Sequence, residues 1–120
     1  MANRWSGITI DCADPASLAE FWSILLGRPV SAEHNGPGWA TVGSRLDELP
    51  RLTFQRVPEA KNGKVRLHID VQVDDIDAGR AQVEQLGGQW AGQRYDYPGE
   101  GVVMVMTDPE GHEFCLVQYF

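Results

Sequence analysis

Basic residues are scarce in this sequence. Of its 120 residues, 10 are lysine or arginine and 17 are aspartate or glutamate, so the formal net charge is -7. Nucleic-acid binding needs clustered positive charge against the phosphates, and this balance argues against such a partner. Apolar runs are also short, since none approaches the roughly 20 residues that a membrane-spanning helix requires. We therefore expect neither a nucleic-acid-binding protein nor a membrane protein.

Cysteine is rare as well. Cys12 and Cys115 are the only two, and they lack the C-x-x-C spacing of zinc and redox motifs. The N-terminal stretch MANRWSG has no apolar segment typical of a secretory signal. Both observations favour reduced thiols and a cytoplasmic protein. The length fits one domain that is able to bury a core of its own.

The most informative stretch is RLHIDVQV, residues 66–73. His68, Asp70 and Gln72 alternate there with four apolar residues, which predicts a half-buried strand over residues 67–73. All four apolar side chains are then expected in the core, and His68 and Asp70 share the polar face. An imidazole beside a carboxylate can transfer protons near pH 7, so we take this pair as the candidate catalytic residues.

Helix and strand signals surround this stretch. Asp14-Pro15 predicts the start of a helix that ends at Gly27, and Asp75 predicts the start of a second that ends before Gly87. The segment from Asp108 to Gly111 predicts a tight turn, with His112 expected in solvent. The predicted strands are residues 8–12, 30–34, 39–43, 52–57, 67–73, 89–95, 102–107 and 113–119.

The element order is therefore β-α-β-β-β, twice. A shift of 61 residues places Ile8 on Ile69 and Asp14 on Asp75, so apolar phase and helix start coincide. The predicted fold class is α+β, with modules of about residues 5–58 and 65–120 in a single domain. Neither module alone is large enough to bury its apolar face. We expect them to pack into a cupped mixed sheet whose concave face binds a small molecule.

Three stretches resemble a known superfamily. They are ITIDCADPASLAEFWSILLG, RLHIDVQVDDIDAGRAQVEQLGG and MTDPEGHEFCLVQ, and together they span nearly the whole chain. The sequence resembles the vicinal oxygen chelate superfamily, that is, the glyoxalase/bleomycin resistance protein/dihydroxybiphenyl dioxygenase group, and within it the small bacterial glyoxalase-like domains. The resemblance implies paired βαβββ modules, a small-molecule ligand and a homodimer.

The resemblance also implies where a divalent metal would bind. Members of the superfamily commonly use positions on the first and last strands of each module. These positions hold His68 and Cys115 in the second module but Gly7 and Phe54 in the first, which cannot ligate through their side chains. A catalytic metal wants about three protein ligands. His68 is thus the one predicted metal ligand in an incomplete set of ligand positions, and whether a divalent metal is the cofactor is left open.

Other candidate residues follow from strand phase and chemistry. Thr9 and Asp11 share phase with Gly7, and Arg56 shares phase with Phe54. Asp11 has an alternative role as a strand-end carboxylate that meets an arginine or water, and Arg56 has one as a solvated strand-end charge. Trp39 could stack a planar ligand, and its alternative role is in core or dimer packing. A packed thiol is favoured over a nucleophile for Cys115. The predicted ligand-binding residues are Thr9, Asp11, Trp39, Phe54, Arg56, Gln72 and Cys115.

Three functions remain open at this point. The first is a glyoxalase-like lyase, isomerase or dioxygenase with His68 central to its site. The second is a metal-free protein that sequesters a small aromatic molecule or antibiotic, as resistance members of the superfamily do. The third is a metal-free activity that uses His68 and Asp70 as an acid/base pair.

Overall fold

A computed structural model of the chain describes residues 2–32 and 35–120. The chain forms two compact units, Met1–Ala60 and Lys61–Phe120. The elements of unit 1 are β1 (Gly7–Cys12), α1 (Pro15–Leu26), β2 (Trp39–Val42) and β3 (Arg51–Arg56). The elements of unit 2 are β4 (Asp70–Gln72), α2 (Ile76–Gln85), β5 (Gln89–Tyr97), β6 (Gly101–Thr107) and β7 (Glu113–Tyr119). The predicted α+β class is confirmed.

Unit 1 is a three-stranded mixed sheet covered by α1. Its strand order is β1-β3-β2, with β1 parallel and β2 antiparallel to β3. Asp14 begins the helix by accepting a hydrogen bond from the Ser17 N–H, and Gly27 ends it in the left-handed conformation with φ of 64°. Both helix signals in the sequence are thus confirmed. The helix buries Leu18 and Trp22 toward the sheet.

Of the strand predicted over residues 30–34, the described residues 30–32 do not form a strand. Of residues 30–34, Val30 forms a single antiparallel bridge to Val42 instead of a strand. Residues 33 and 34 lie outside the described part of the chain.

Unit 2 is a four-stranded mixed sheet with the order β4-β7-β6-β5. Strand β4 runs parallel to β7, and the remaining pairs are antiparallel. One face of this sheet packs against α2. The buried side chains of that face and of the helix are Ile76, Val83, Val102, Met104, Met106, Phe114 and Leu116. The Gln118 side-chain oxygen also accepts a hydrogen bond of 2.8 Å from the Ile76 N–H, which ties the start of α2 to β7.

The two units share one topology. In each, the first strand pairs in parallel with the last, and the last pairs antiparallel with the strand before it. Asp14 and Asp75 cap the two helices in the same way, since Asp75 accepts a hydrogen bond of 3.0 Å from the Ala78 N–H. Among the described residues, no helix is long and apolar enough to cross a bilayer.

The prediction for residues 67–73 was wrong in part. Only Asp70–Gln72 forms the strand, and Leu67 is 71% exposed rather than buried. Val71 is buried as expected, whereas Ile69 and Val73 are half-buried. Strand β4 pairs with β7 only from Cys115 to Val117, so the residues before Asp70 leave the sheet. Alternation identifies which side chains share a face, but burial also needs a neighbouring strand.

The connection from α2 to β5 leaves no room for a side chain at Gly88. A Cβ atom there would lie 2.6 Å from both the Thr107 carbonyl oxygen and Val83 Cγ1. We expect Gly88→Ala to lower the free energy of unfolding by roughly 1–3 kcal/mol, because backbone and helix would have to move apart. Gly38→Ala, where nothing lies within 4 Å, is the control, with an expected change within about 0.5 kcal/mol. Urea denaturation measures both, and equal effects would contradict the packing argument.

Candidate functional site

His68, Asp70 and Cys115 form one cluster in unit 2. Asp70 begins β4 and lies opposite Cys115 in the parallel register with β7. His68 precedes the strand by two residues, and its Nδ1 atom lies 3.2 Å from Asp70 Oδ1. One nitrogen, one carboxylate oxygen and one sulfur from the three side chains lie within 4.8 Å of one another. The predicted pairing of His68 with Asp70 is therefore present, and Cys115 joins it.

The cluster is open to solvent on one side and buried on the other. His68 and Asp70 are exposed, whereas Cys115 is 8% exposed. Burial raises the pKa of the Cys115 thiol, and the negative charge of Asp70 raises the same pKa further, against a smaller opposing effect of Lys64. Reactive cysteines instead have a pKa lowered by positive neighbours. With these neighbours alone, Cys115 is a protonated thiol and not an activated nucleophile.

The donor set of the cluster fits a divalent cation. Imidazole nitrogen, carboxylate oxygen and thiolate sulfur are the ligands that zinc uses in proteins, and three of them leave one position open. Bonds of about 2.0–2.3 Å in tetrahedral geometry separate the ligand atoms by roughly 3.3–3.8 Å, so small side-chain adjustments within the observed 4.8 Å bring them to that spacing. A cation there would also favour the thiolate form of Cys115.

Asp70 is the member of this donor set that the sequence did not indicate. It is expected only as a proton-transfer partner of His68, because its distance from Cys115 depends on how β4 pairs with β7. The available signal was the alternation that places Asp70 on the polar face of its strand. That alternation does not say which residues of two strands lie side by side.

A groove lined in part by Val117 lies on the sheet face that also carries Cys115. Val117 follows Cys115 by two residues on β7, so both side chains point away from α2. The exposed side chain of Gln72 lies opposite Val117 in the register. The groove has a volume of about 540 Å³, and its lining residues are Tyr97, Glu100, Gly101, Val102, Val103, Val117, Tyr119 and Phe120. Among the described residues of this lining, Glu100 is the one that carries a charge, so the surface they form is mainly apolar and aromatic.

In unit 1, Thr9, Asp11 and Trp39 share the sheet face opposite α1. Thr9 lies in register with Thr53, and Asp11 lies in register with Gln55, which in turn pairs with Trp39. Thr9 and Asp11 are exposed, and the Trp39 side chain is 46% exposed. Their role in binding stays a prediction.

Phe54 was wrongly placed in the ligand site. It is 0% exposed and lies in register with Ile10 and Ala40 on the face that α1 covers. Gln55 is instead the residue of β3 that shares a face with Asp11, because a shift of one residue moves every side chain of a strand to the other side. Arg56 ends β3 with an exposed side chain, in register with Cys12, and its binding role stays a prediction.

The turn after β6 has a structural explanation. Asp108 is 3% exposed, and its carboxylate accepts hydrogen bonds from the backbone N–H groups of Glu110 and His112. The His112 ring nitrogen Nδ1 also lies 3.0 Å from this carboxylate. His112 is therefore half-buried and paired rather than directed into solvent, so the expectation for it was wrong.

The chain is thus a small α+β protein with two units, each a mixed sheet with one helix. A comparison of sequences identifies the family within this class. The sequence profile of the glyoxalase-like domain family matches residues 7–117, and the chain belongs to this family. No curated protein sequence matches it significantly.

Solved structures with the same fold come from several bacteria. A glyoxalase/bleomycin resistance protein/dioxygenase family enzyme from Burkholderia phytofirmans PsJN has a TM-score of 0.82 at 13% identity, with 98% of this chain and 100% of that chain covered. A glyoxalase family protein from Bacillus cereus has a TM-score of 0.75 at 15% identity, covering 100% of this chain and 96% of that one. At these low identities, the TM-scores show a common fold and no more.

A third similar structure is a mutant fosfomycin resistance protein, FosX, from Listeria monocytogenes. It is complexed with Mn(II) and 1S,2S-dihydroxypropylphosphonic acid. Its TM-score is 0.74 at 19% identity, and the alignment covers 97% of this chain and 90% of that chain. The family match over residues 7–117, together with these structures of the same fold, confirms the superfamily expected from the sequence.

The charge of Asp70 yields a test of the thiol environment. In a Cys12→Ser background, Asp70→Asn is expected to speed iodoacetamide labelling of Cys115 several-fold near neutral pH. Removing the carboxylate charge lowers the pKa of the thiol, so a larger fraction is thiolate at a given pH. Mass spectrometry with EDTA present measures the rate. Asp74→Asn, which alters an exposed carboxylate outside the cluster, should leave it unchanged, and equal rates in all three proteins would contradict the assignment.

Proposed function

We propose that this protein binds a divalent cation through His68, Asp70 and Cys115, and binds a small oxygen-bearing molecule beside that cation. The convergence of three unlike donor atoms within 4.8 Å is the observation that carries the proposal. The Mn(II) and diol ligand of the Listeria monocytogenes protein support it by analogy of fold.

Different residues of unit 2 bind the cation and the organic ligand. The cluster holds the cation, and a cation so placed supplies Lewis acidity toward a hydroxyl or carbonyl oxygen of the ligand. Gln72 offers an amide donor and acceptor next to Val117, at the boundary between the cluster and the groove. The groove accepts the apolar or aromatic part of the ligand. Because its one charged lining residue is Glu100, a neutral or cationic molecule suits it better than a phosphonate.

The same arrangement of donor atoms supports our proposal of a reaction class. A glyoxalase-type lyase, isomerase or dioxygenase needs an oxygen-bearing substrate held at a metal with an open position, and the three-donor cluster leaves one.

We also propose that residues 5–58 and 65–120 act as modules of one domain, since the family match runs through both. We propose as well that the protein forms a homodimer, because aromatic residues such as Tyr95 and Phe120 are exposed. Sedimentation analysis measures the oligomeric state and tests this.

Cation binding is tested by removing each ligand. His68→Ala, Asp70→Asn and Cys115→Ser are each expected to weaken Zn²⁺ binding by at least roughly tenfold, because even loss of an outer-shell partner costs about 10- to 100-fold. Competition with a chromophoric chelator measures affinity, and elemental analysis measures the metal carried through purification. Cys12→Ser removes a buried thiol of unit 1 and should leave both unchanged. Wild-type protein that takes up less than one equivalent of Zn²⁺, Mn²⁺, Ni²⁺ and Fe²⁺ alike would sink the proposal.

The second candidate is a metal-free binding protein that sequesters an aromatic molecule or antibiotic. The apolar, aromatic groove favours it. Under this alternative, a ligand raises the melting temperature of EDTA-treated protein as much as that of cation-loaded protein. Val103→Phe, which fills the groove, should abolish that shift, whereas Leu49→Phe, an exposed site in unit 1, should preserve it. Turnover by EDTA-treated protein that His68→Ala abolishes would instead support the metal-free His68–Asp70 acid/base pair.

A further inference from the structure

His68 lies on a segment without regular secondary structure. Residues 61–69 form neither helix nor strand, and seven of the nine are exposed. Such a segment has few buried side chains to hold it, so the position of its histidine depends on specific hydrogen bonds.

Two residues of β7 hold this segment. Glu113 accepts a hydrogen bond of 2.6 Å from the Val65 N–H through Oε2, and its Oε1 lies 2.7 Å from the Lys61 ammonium. At the other end, the Cys115 N–H donates a hydrogen bond of 3.0 Å to the Ile69 carbonyl oxygen. His68 thus lies between two attachments to one strand.

The attachment at Glu113 is charged and partly buried. Burial raises the pKa of this carboxyl, but the Lys61 ammonium, the Val65 N–H and the charge of Lys64 together outweigh burial and hold the pKa below its usual value. The Lys61 ammonium and the Val65 N–H thus contact the two different oxygens of the Glu113 carboxyl group. Because its side chain is more buried than that of an ordinary surface ion pair, solvent screens the attachment less.

We propose that Glu113 is a positioning residue, which sets the affinity of the cluster for a cation by holding the His68 segment against β7. This inference rests on the proposed function. Glu113 is not a member of the three-donor cluster, and its two oxygens are occupied by Lys61 and Val65. Its action on a cation at Asp70 and Cys115 is through the placement of His68.

Three substitutions separate this role from a simple charge effect. Glu113→Ala removes both attachments and should weaken Zn²⁺ binding roughly tenfold, as the loss of a second-shell partner does. Glu113→Gln keeps an acceptor for Val65 and should weaken binding less. The direction of the change in Zn²⁺ affinity caused by Lys61→Met decides between the two explanations. Removing a positive charge near the site would strengthen cation binding by electrostatics alone, whereas loss of positioning weakens it. Tighter binding by Lys61→Met would overturn the proposal.

A double-variant cycle tests whether Glu113 acts through His68. In a His68→Ala background, Glu113→Ala should have no further effect on the residual Zn²⁺ affinity, because the residue being positioned is gone. An undiminished loss in that background would mean that Glu113 acts on the cation directly, and the positioning role would be refuted. Glu84→Gln, which breaks the Arg80–Glu84 pair of 2.6 Å on α2, is the matched control and should leave affinity unchanged.

The cation-free protein provides an independent measurement. The ¹H–¹⁵N heteronuclear NOE values of Leu67 and His68 should fall in Glu113→Ala and stay at wild-type values in Glu84→Gln. If wild-type protein binds no cation but this NOE difference appears, the proposed function fails while the attachment is upheld. If wild-type protein binds Zn²⁺ through His68 but the NOE and affinity of Glu113→Ala are unchanged, the positioning role alone fails.

Discussion

The parallel pairing of β4 with β7 is the constraint on which the candidate site depends. This register places Asp70 beside Cys115 and Gln72 beside Val117. A different register would separate the carboxylate from the thiol, and His68 would be left with Asp70 alone. The pairing is only three residues long on β4, so hydrogen bonds outside it matter. The contacts of Glu113 with Lys61 and Val65 attach the segment that carries His68 to β7.

Strand β7 serves the core and the site at once. Phe114 and Leu116 are buried on the face that packs against α2, whereas Glu113, Cys115 and Val117 lie on the other face. Because side chains alternate, one strand can supply rigid packing and functional groups without conflict. The core face keeps the strand in place, and so the spacing of the groups on the site face is maintained. Val117, which lines the groove, follows Cys115 by two residues on the same face of β7.

Local signals predicted much of this fold. Asp14, Asp75 and Gly27 have backbone roles that depend on their own chemistry and a few neighbours, and the structure agrees with each. Pairing across the sheet was harder to predict. Phe54 was taken as a ligand residue from the positions that the resemblance implied, whereas the register of β3 places the neighbouring Gln55 on the face of Asp11. Leu67 was expected in the core, although no neighbouring strand covers it.

The sequence by itself determined the class, the superfamily, the two helices with their caps, and the shared face of His68 and Asp70. The caps and the shared face depend on residues close together in the chain, and the class and superfamily depend on a pattern that can be compared along the chain without knowledge of its contacts. Only the tertiary structure decided that Asp70 and Cys115 are neighbours, that Glu113 holds the segment of His68, and that Phe54 is buried. These contacts join positions more than forty residues apart along the chain or depend on strand register. Register is set by how whole strands pack together, and no single residue pattern encodes it.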